Sequence, residues 1–374
     1  MLPYGRQSIS DDEIAAVAEV LRGDWLTTGP AVRQFEADLA TTAGGAECVT
    51  VTSGTAALHT AYAAAGIGPG DEVVTSPMTF VATASTAAML GATVVFADVE
   101  ADTGLLDPQA AKAACTERTR VVAAIDYAGH PADYDALRTV ADSAGALLLD
   151  DAAHSIGATY HGKPIGSIAD LTTFSFFPTK NMTTAEGGAV ASVRPGLAER
   201  AARFRNIGLV REPHRFRIAD QGRWHQEVHE FGLNYRLPDV LCALGIVQLR
   251  RLAGFLARRR ELVARYRTLL SDVDGLLLPP QRPGVEPAWH LFPVRILGGR
   301  RRDVYERMRA AGIGVQVNYV PVYWHPVFTD LGYKRGLCPV AEEYYEQELS
   351  LPMFPDLTDD DQDRVVDVLR SLLG

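Results

Sequence analysis

Between residues 48 and 150 the chain alternates five short β-rich runs with four helical segments, and few architectures accept that rhythm. The runs are 48–53, 72–76, 93–97, 121–126 and 146–150, separated by helical patterns near 55–65, 79–90, 107–116 and 134–144. Strands joined through helices pair in parallel, and a parallel sheet needs cover on both faces. Two further strands are expected at 172–176 and 188–192. The expected fold class is α/β, a mostly parallel sheet with helices on both faces.

The flanks complete the plan. Ser10-Asp-Asp-Glu13 is a capping box that opens an amphipathic helix ending near Gly23, and Pro30 suits the first turn of a second helix reaching about residue 40. Residues 196–236, rich in Arg, His and aromatics, read as a long loop with some helix. Residues 237–272 read as one long helix, with Arg258-Arg259-Arg260 expected on a solvated face. From Trp289 a smaller α+β unit is expected, with strands at 290–296 and 315–319 and helices at 302–311, 340–348 and 358–373. The division is into a large domain with an N-terminal arm, 1–250, and a small C-terminal α+β domain, 251–374.

A net charge of −10 argues against a nucleic-acid partner. No stretch reads as a membrane span, and Met1-Leu-Pro-Tyr-Gly-Arg6 lacks the pattern of a secretory signal. Four widely spaced cysteines show no metal-ligand spacing and fit a reduced, cytoplasmic setting.

Ligands of open α/β sheets collect at the carboxyl ends of the strands. Three motifs fall there. Only four of the 36 basic residues are lysines, and one, Lys180, lies in the apolar run Ser175-Phe-Phe-Pro-Thr-Lys180. Arginine stays charged in proteins, whereas a desolvated lysine can lose its proton and attack a carbonyl, as binding pyridoxal phosphate requires. The plain alternative is a surface lysine at a strand end. Thr52-Ser-Gly-Thr-Ala-Ala57 joins a strand to a helix whose N-terminus suits an anion, or is a simple cap. Asp150 and Asp151 end a fully apolar strand, where a carboxylate can keep a pyridine nitrogen protonated, bind magnesium or cap a helix. His154 could meet the cofactor's phenolic oxygen or be a core histidine. Phe80 could stack on a pyridine face or pack in the core. Ser175 could add a hydroxyl to a phosphate.

In this order, and with Trp25-Leu-Thr-Thr-Gly-Pro30, Tyr127-Ala-Gly, Gly232-Leu-Asn-Tyr-Arg236 and Gln316-Val-Asn-Tyr319, the chain resembles the DegT/DnrJ/EryC1/StrS family along nearly its whole length. These are pyridoxal-phosphate-dependent sugar aminotransferases of fold type I. The resemblance implies that Lys180 forms the Schiff base and carries the proton, and that Asp151 pairs with the pyridine nitrogen. It places His154 at the ring oxygen, Phe80 on the ring, and Thr55, Ala56 and Ser175 at the phosphate. Asn234 would reach the phosphate of the neighbouring subunit of a homodimer. Tyr4, Thr27, Thr28, Gly29, Asn318 and Tyr319 would line the sugar-nucleotide pocket.

The implied reaction moves an amino group from an amino acid, usually L-glutamate, through the pyridoxamine form of the cofactor to a nucleotide-linked keto-sugar. A dehydratase branch carries His in place of the lysine, so Lys180 favours transamination. The motifs resemble the branch acting at C4 of 4-keto-6-deoxy sugars, for example a UDP-linked N-acetyl-amino sugar. Two rivals share the constellation: a cyclitol ketone aminotransferase and a regulatory protein that binds the cofactor with little turnover. Arg6, Arg223 and Arg236 are candidates for the donor carboxylate. A nucleotide-dependent oxidoreductase would need the glycine fingerprint that this chain lacks.

Overall fold

The structure is a computed structural model that describes residues 1–218 and 221–374. Helices α1 (Asp11–Arg22) and α2 (Pro30–Thr42) lead into β1 (Glu47–Val51), α3 (Gly54–Ala65), β2 (Glu72–Thr75), α4 (Ala82–Met89), β3 (Thr93–Phe96) and α5 (Pro108–Ala114). Then follow β4 (Thr119–Ile125), α6 (Tyr134–Ala144), β5 (Leu147–Asp151), β6 (Leu171–Ser175) and β7 (Gly188–Ser192). The seven strands form one sheet in the order β1-β7-β6-β5-β4-β2-β3. Only β7 runs against its neighbours, β1 and β6. The expected mostly parallel sheet is present, with strand ends shifted by one or two residues.

Apolar side chains leave both faces of these strands. Val121, Ala123 and Ile125 of β4 join a core with α3 and α4, while Val122 and Ala124 join another with α2 and α6. That period of two buries both faces of the central strands. The Ser10–Glu13 capping box forms as expected at the start of α1.

Beyond the sheet, the long segment holds α7 (Leu197–Phe204), β8 (Leu209–Val210) and β9 (Glu227–Val228), the last two paired as a ribbon. Residues 219 and 220 of that segment lie outside the described residues. Helix α8 (Asp239–Leu270) packs on α1 and α2, then continues past residue 250 into the C-terminal unit. Its apolar stretch meets the length and composition of a membrane span, and it contributes Cys242, Leu252, Leu262 and Tyr266 to the protein core.

The C-terminal unit holds β10 (Leu276–Leu277), β11 (Phe292–Ile296), α9 (Arg301–Ala310), α10 (Pro326–Thr329), α11 (Pro339–Gln347), β12 (Glu348–Leu351) and α12 (Asp359–Leu373). Strand β11 is central, between β10 and β12.

Two expectations are corrected. The strand expected at 315–319 is reduced to a single bridge between Gln316 and Ser350. The next backbone groups bond side chains instead: Asn318 N–H donates to the Glu348 carboxylate at 2.6 Å, and the Asn318 carbonyl accepts from the Tyr127 hydroxyl at 2.5 Å. The three-arginine run is not a solvated face throughout. Arg259 is 1% exposed and donates to the carbonyls of Trp289, His290 and Met353 at 3.1, 3.1 and 3.2 Å. Those three acceptors offset the loss of water around the guanidinium.

Candidate active site

A cavity of about 450 Å³ lies where β5 ends at Asp151 and β6 ends at Ser175. Its wall includes Thr55, Phe80, Asp151, His154, Ser175 and Lys180, together with Tyr4, Asn318 and Tyr319. Nine expected residues therefore meet in one place.

The N-terminus of α3 forms one side. Ser53 caps it by accepting from Ala56 N–H at 3.0 Å. That bond occupies the Ala56 N–H, and Ala56 itself is not in the cavity wall. A side chain at Gly54 would place its Cβ 2.7 Å from Ser175 Cβ. Glycine thus lets the positive end of the helix lie against the Ser175 hydroxyl, an arrangement suited to an anion.

Asp151 Oδ2 accepts from the Thr83 hydroxyl at 2.6 Å, and Oδ1 from Ala153 N–H at 3.3 Å. Burial pushes its carboxyl above the usual range, while Thr83 and the charge of Lys180 pull the other way. Lys180 shows the reciprocal effect: burial lowers its amine to about 8, against the opposing pull of Asp151. An amine in that range supplies a neutral nucleophile near neutral pH.

His154 lies behind them. Its Nε2 is 3.2 Å from the Tyr319 hydroxyl, and its Nδ1 is buried without a partner. Burial, then the charge of Lys180, hold its pKa well below the usual imidazole range, so the ring is neutral. Phe80 stands at the mouth, 58% exposed, with its ring centroid 6.3 Å from that of Tyr319.

Four expected residues lie elsewhere in the chain. Asn234 is exposed and bridges Asn206. Thr27, Thr28 and Gly29 line a second cavity, of about 580 Å³, with Arg33, Arg205, Arg211 and Arg236. The Gly29 N–H is held there by Asp239 at 2.7 Å.

The motif reading passed over three side chains. Thr83 lies three residues after Phe80, and Asn181 directly follows the lysine. His290 sits at the entry to β11, in a run that reads only as strand. All three are buried, and Asn181 and His290 bond each other at 3.2 Å.

The donor set fits pyridoxal phosphate: a helix N-terminus with a hydroxyl for phosphate, a buried carboxylate, an amine of lowered pKa and an unpartnered imidazole nitrogen. The DegT/DnrJ/EryC1/StrS aminotransferase family model matches residues 7–370. The chain belongs to this family. It is a pyridoxal-phosphate-dependent aminotransferase, built on the fold that the sugar aminotransferases share. The spore coat polysaccharide biosynthesis protein SpsC of Bacillus subtilis is 39% identical over 378 residues, covering 100% of this chain and 97% of that protein. A candidate sugar aminotransferase of Streptococcus pneumoniae, solved in its PMP form, is 30% identical with a TM-score of 0.94, covering 100% of this chain and 99% of that one. DesV of S. venezuelae is 36% identical with a TM-score of 0.89, covering 97% and 95%.

Proposed function

We propose that this aminotransferase moves the amino group of L-glutamate to a nucleotide-linked keto-sugar, at C4 of a 4-keto-6-deoxy sugar. The observation that carries the reading is that Lys180 and Asp151 share one cavity at the carboxyl edge of the sheet. The choice of C4 rests on the motifs Tyr127-Ala-Gly, Asp151-Ala-Ala-His154 and Gln316-Val-Asn-Tyr319, and glutamate is the donor that the resemblance to the family implies.

Pyridoxal phosphate, when bound, supplies an electron sink that stabilises negative charge at the donor's α-carbon. The protein's own groups do the rest. The N-terminus of α3, Thr55 and Ser175 hold the phosphate. Asp151, fixed by Thr83, keeps the ring nitrogen protonated. Lys180 would hold the cofactor, and its amine of lowered pKa would move the proton at the substrate carbon. His154 would contact the ring oxygen, and Phe80 would cover the ring and exclude water. Tyr4, Asn318 and Tyr319 contact the sugar.

The same reading makes the enzyme a cytoplasmic homodimer, divided into residues 1–250 and 251–374. Asn234 then serves the phosphate site of the neighbouring subunit, and Thr27, Thr28 and Gly29 its sugar-nucleotide pocket. Support comes from the 207–233 segment, where Ile218, Trp224, Val228 and Phe231 are exposed, Phe231 at 99%. Apolar side chains concentrated in one segment mark a protein contact.

Absorbance of the purified enzyme tests the donor half. L-Glutamate should convert the band of covalently held pyridoxal phosphate to that of pyridoxamine phosphate, and a 4-keto sugar nucleotide should restore it. A band that glutamate leaves unchanged contradicts the donor. A pyridoxamine band that no keto-sugar nucleotide reverses contradicts the acceptor.

A further inference from the structure

His290 has no role in the account above, yet it lines the cavity. Its side chain is 5% exposed, and its ring lies over that of His154 with centroids 4.3 Å apart. Arg259 holds its backbone carbonyl at 3.1 Å. Its ring Nδ1 lies 3.2 Å from Asn181 Oδ1.

The Asn181 amide is oriented by other bonds. Its Nδ2 donates to the carbonyls of Ala288 at 3.0 Å and His154 at 3.4 Å. Oδ1 is therefore an acceptor, and His290 Nδ1 carries the ring proton. Burial, with His154, Lys180 and Arg259 close by, holds the ring well below the usual imidazole range, so it is neutral. A neutral ring protonated at Nδ1 keeps a lone pair on Nε2. Among the described residues no donor meets Nε2, and it is not one of the sealed, unpartnered core atoms. His290 lines the cavity, and with Nδ1 turned to Asn181 the nitrogen left for a ligand is Nε2.

We propose that His290 is a specificity-determining residue that offers Nε2 as a fixed hydrogen-bond acceptor to a hydroxyl group of the sugar. The inference rests on the keto-sugar reading. Both substrates use one cavity in turn. A lone pair held in its wall attracts a hydroxyl and repels a carboxylate, so it favours the hydroxyl-rich sugar over the dicarboxylate glutamate.

Two variants separate the ring's nitrogens. His290→Asn can keep the bond to Asn181 and lacks a group at the Nε2 position, whereas His290→Gln places an amide near Nε2. The half-reactions would be followed separately by the cofactor's absorbance, and binding of the sugar nucleotide to the pyridoxamine form by calorimetry. For His290→Asn the expected result is an unchanged cofactor band and a glutamate half-reaction within about twofold of wild type. The sugar half-reaction and sugar-nucleotide affinity should each fall about tenfold, the size of one neutral hydrogen bond. His290→Gln should recover part of the sugar affinity. Equal handling of both substrates by His290→Asn and wild type overturns the inference, and so does a matched fall in both half-reactions. A wild-type enzyme that aminates no keto-sugar nucleotide overturns the proposed function and this inference together, a result distinct from either.

Discussion

Thr83 and Asp151 are joined by a hydrogen bond of 2.6 Å, although 68 positions separate them. Thr83 stands in the first turns of α4, and Asp151 is the last residue of β5. The bond fixes a carboxylate that shares the cavity wall with Lys180 and lowers the charge cost of its burial.

Asp151→Asn should leave the cofactor bound and slow both half-reactions about a hundredfold, as expected on removing one preorganised charge from a reacting site. Thr83→Val should slow them about tenfold, the cost of one lost hydrogen bond. Stopped-flow absorbance measures both variants. An Asp151→Asn enzyme of unchanged rate would contradict the role given to Asp151, since the adjacent Asp150 is buried outside the cavity wall.

Lys180→Ala should lose the absorbance of covalently held cofactor and about 10³-fold in turnover. Circular dichroism should show an intact fold, since Lys180 bears no structural ion pair among the described residues.

The lowered amine of Lys180 sets a pH dependence. Free protein should take up pyridoxal phosphate faster as pH rises towards and through about 8, because the neutral amine is the nucleophile. Its folded pKa lies below the ordinary lysine value of 10.5, so above about pH 8 the unfolded chain binds more protons at this position. Lys180 therefore makes the cofactor-free fold more stable as pH rises from about 8 towards 10.5. Uptake rates that stay flat between pH 7 and 9 would contradict the assignment.

Gly54→Ala should weaken cofactor binding without changing the fold. Its new Cβ would fall 2.7 Å from Ser175 Cβ, which drives the helix terminus and the hydroxyl apart. The cost is about 1–3 kcal/mol as overpacking. Titration with pyridoxal phosphate measures the affinity, and thermal unfolding the stability.

Arg259→Met should destabilise the protein by about 3 kcal/mol, because it leaves buried carbonyls without donors. Arg259→Lys should restore part of that loss. The midpoint of urea unfolding reads both.

The sheet was legible because each strand is a short apolar run that ends where turn residues begin, a signal that needs no tertiary knowledge. Lys180, Asp151 and Ser175 stood out because they interrupt or end such runs. What stayed hidden depends on partners distant in sequence. Nothing in three consecutive arginines tells which one turns inward, since the carbonyls that receive Arg259 lie 30 to 94 positions away. The 315–319 segment has strand composition, but the side chains of Glu348 and Tyr127 take its backbone bonds. His290 reads as the start of a strand, and only packing brings it over His154.

Mass mapping after borohydride reduction tests the central claim most directly. Reduction of the cofactor-loaded enzyme fixes pyridoxal phosphate to the amine that holds it, and the chain offers only four lysines, Lys112, Lys163, Lys180 and Lys334. The account predicts the added mass on the peptide containing Lys180 alone. A label on another lysine, or an enzyme that transaminates with no label at Lys180, would contradict it.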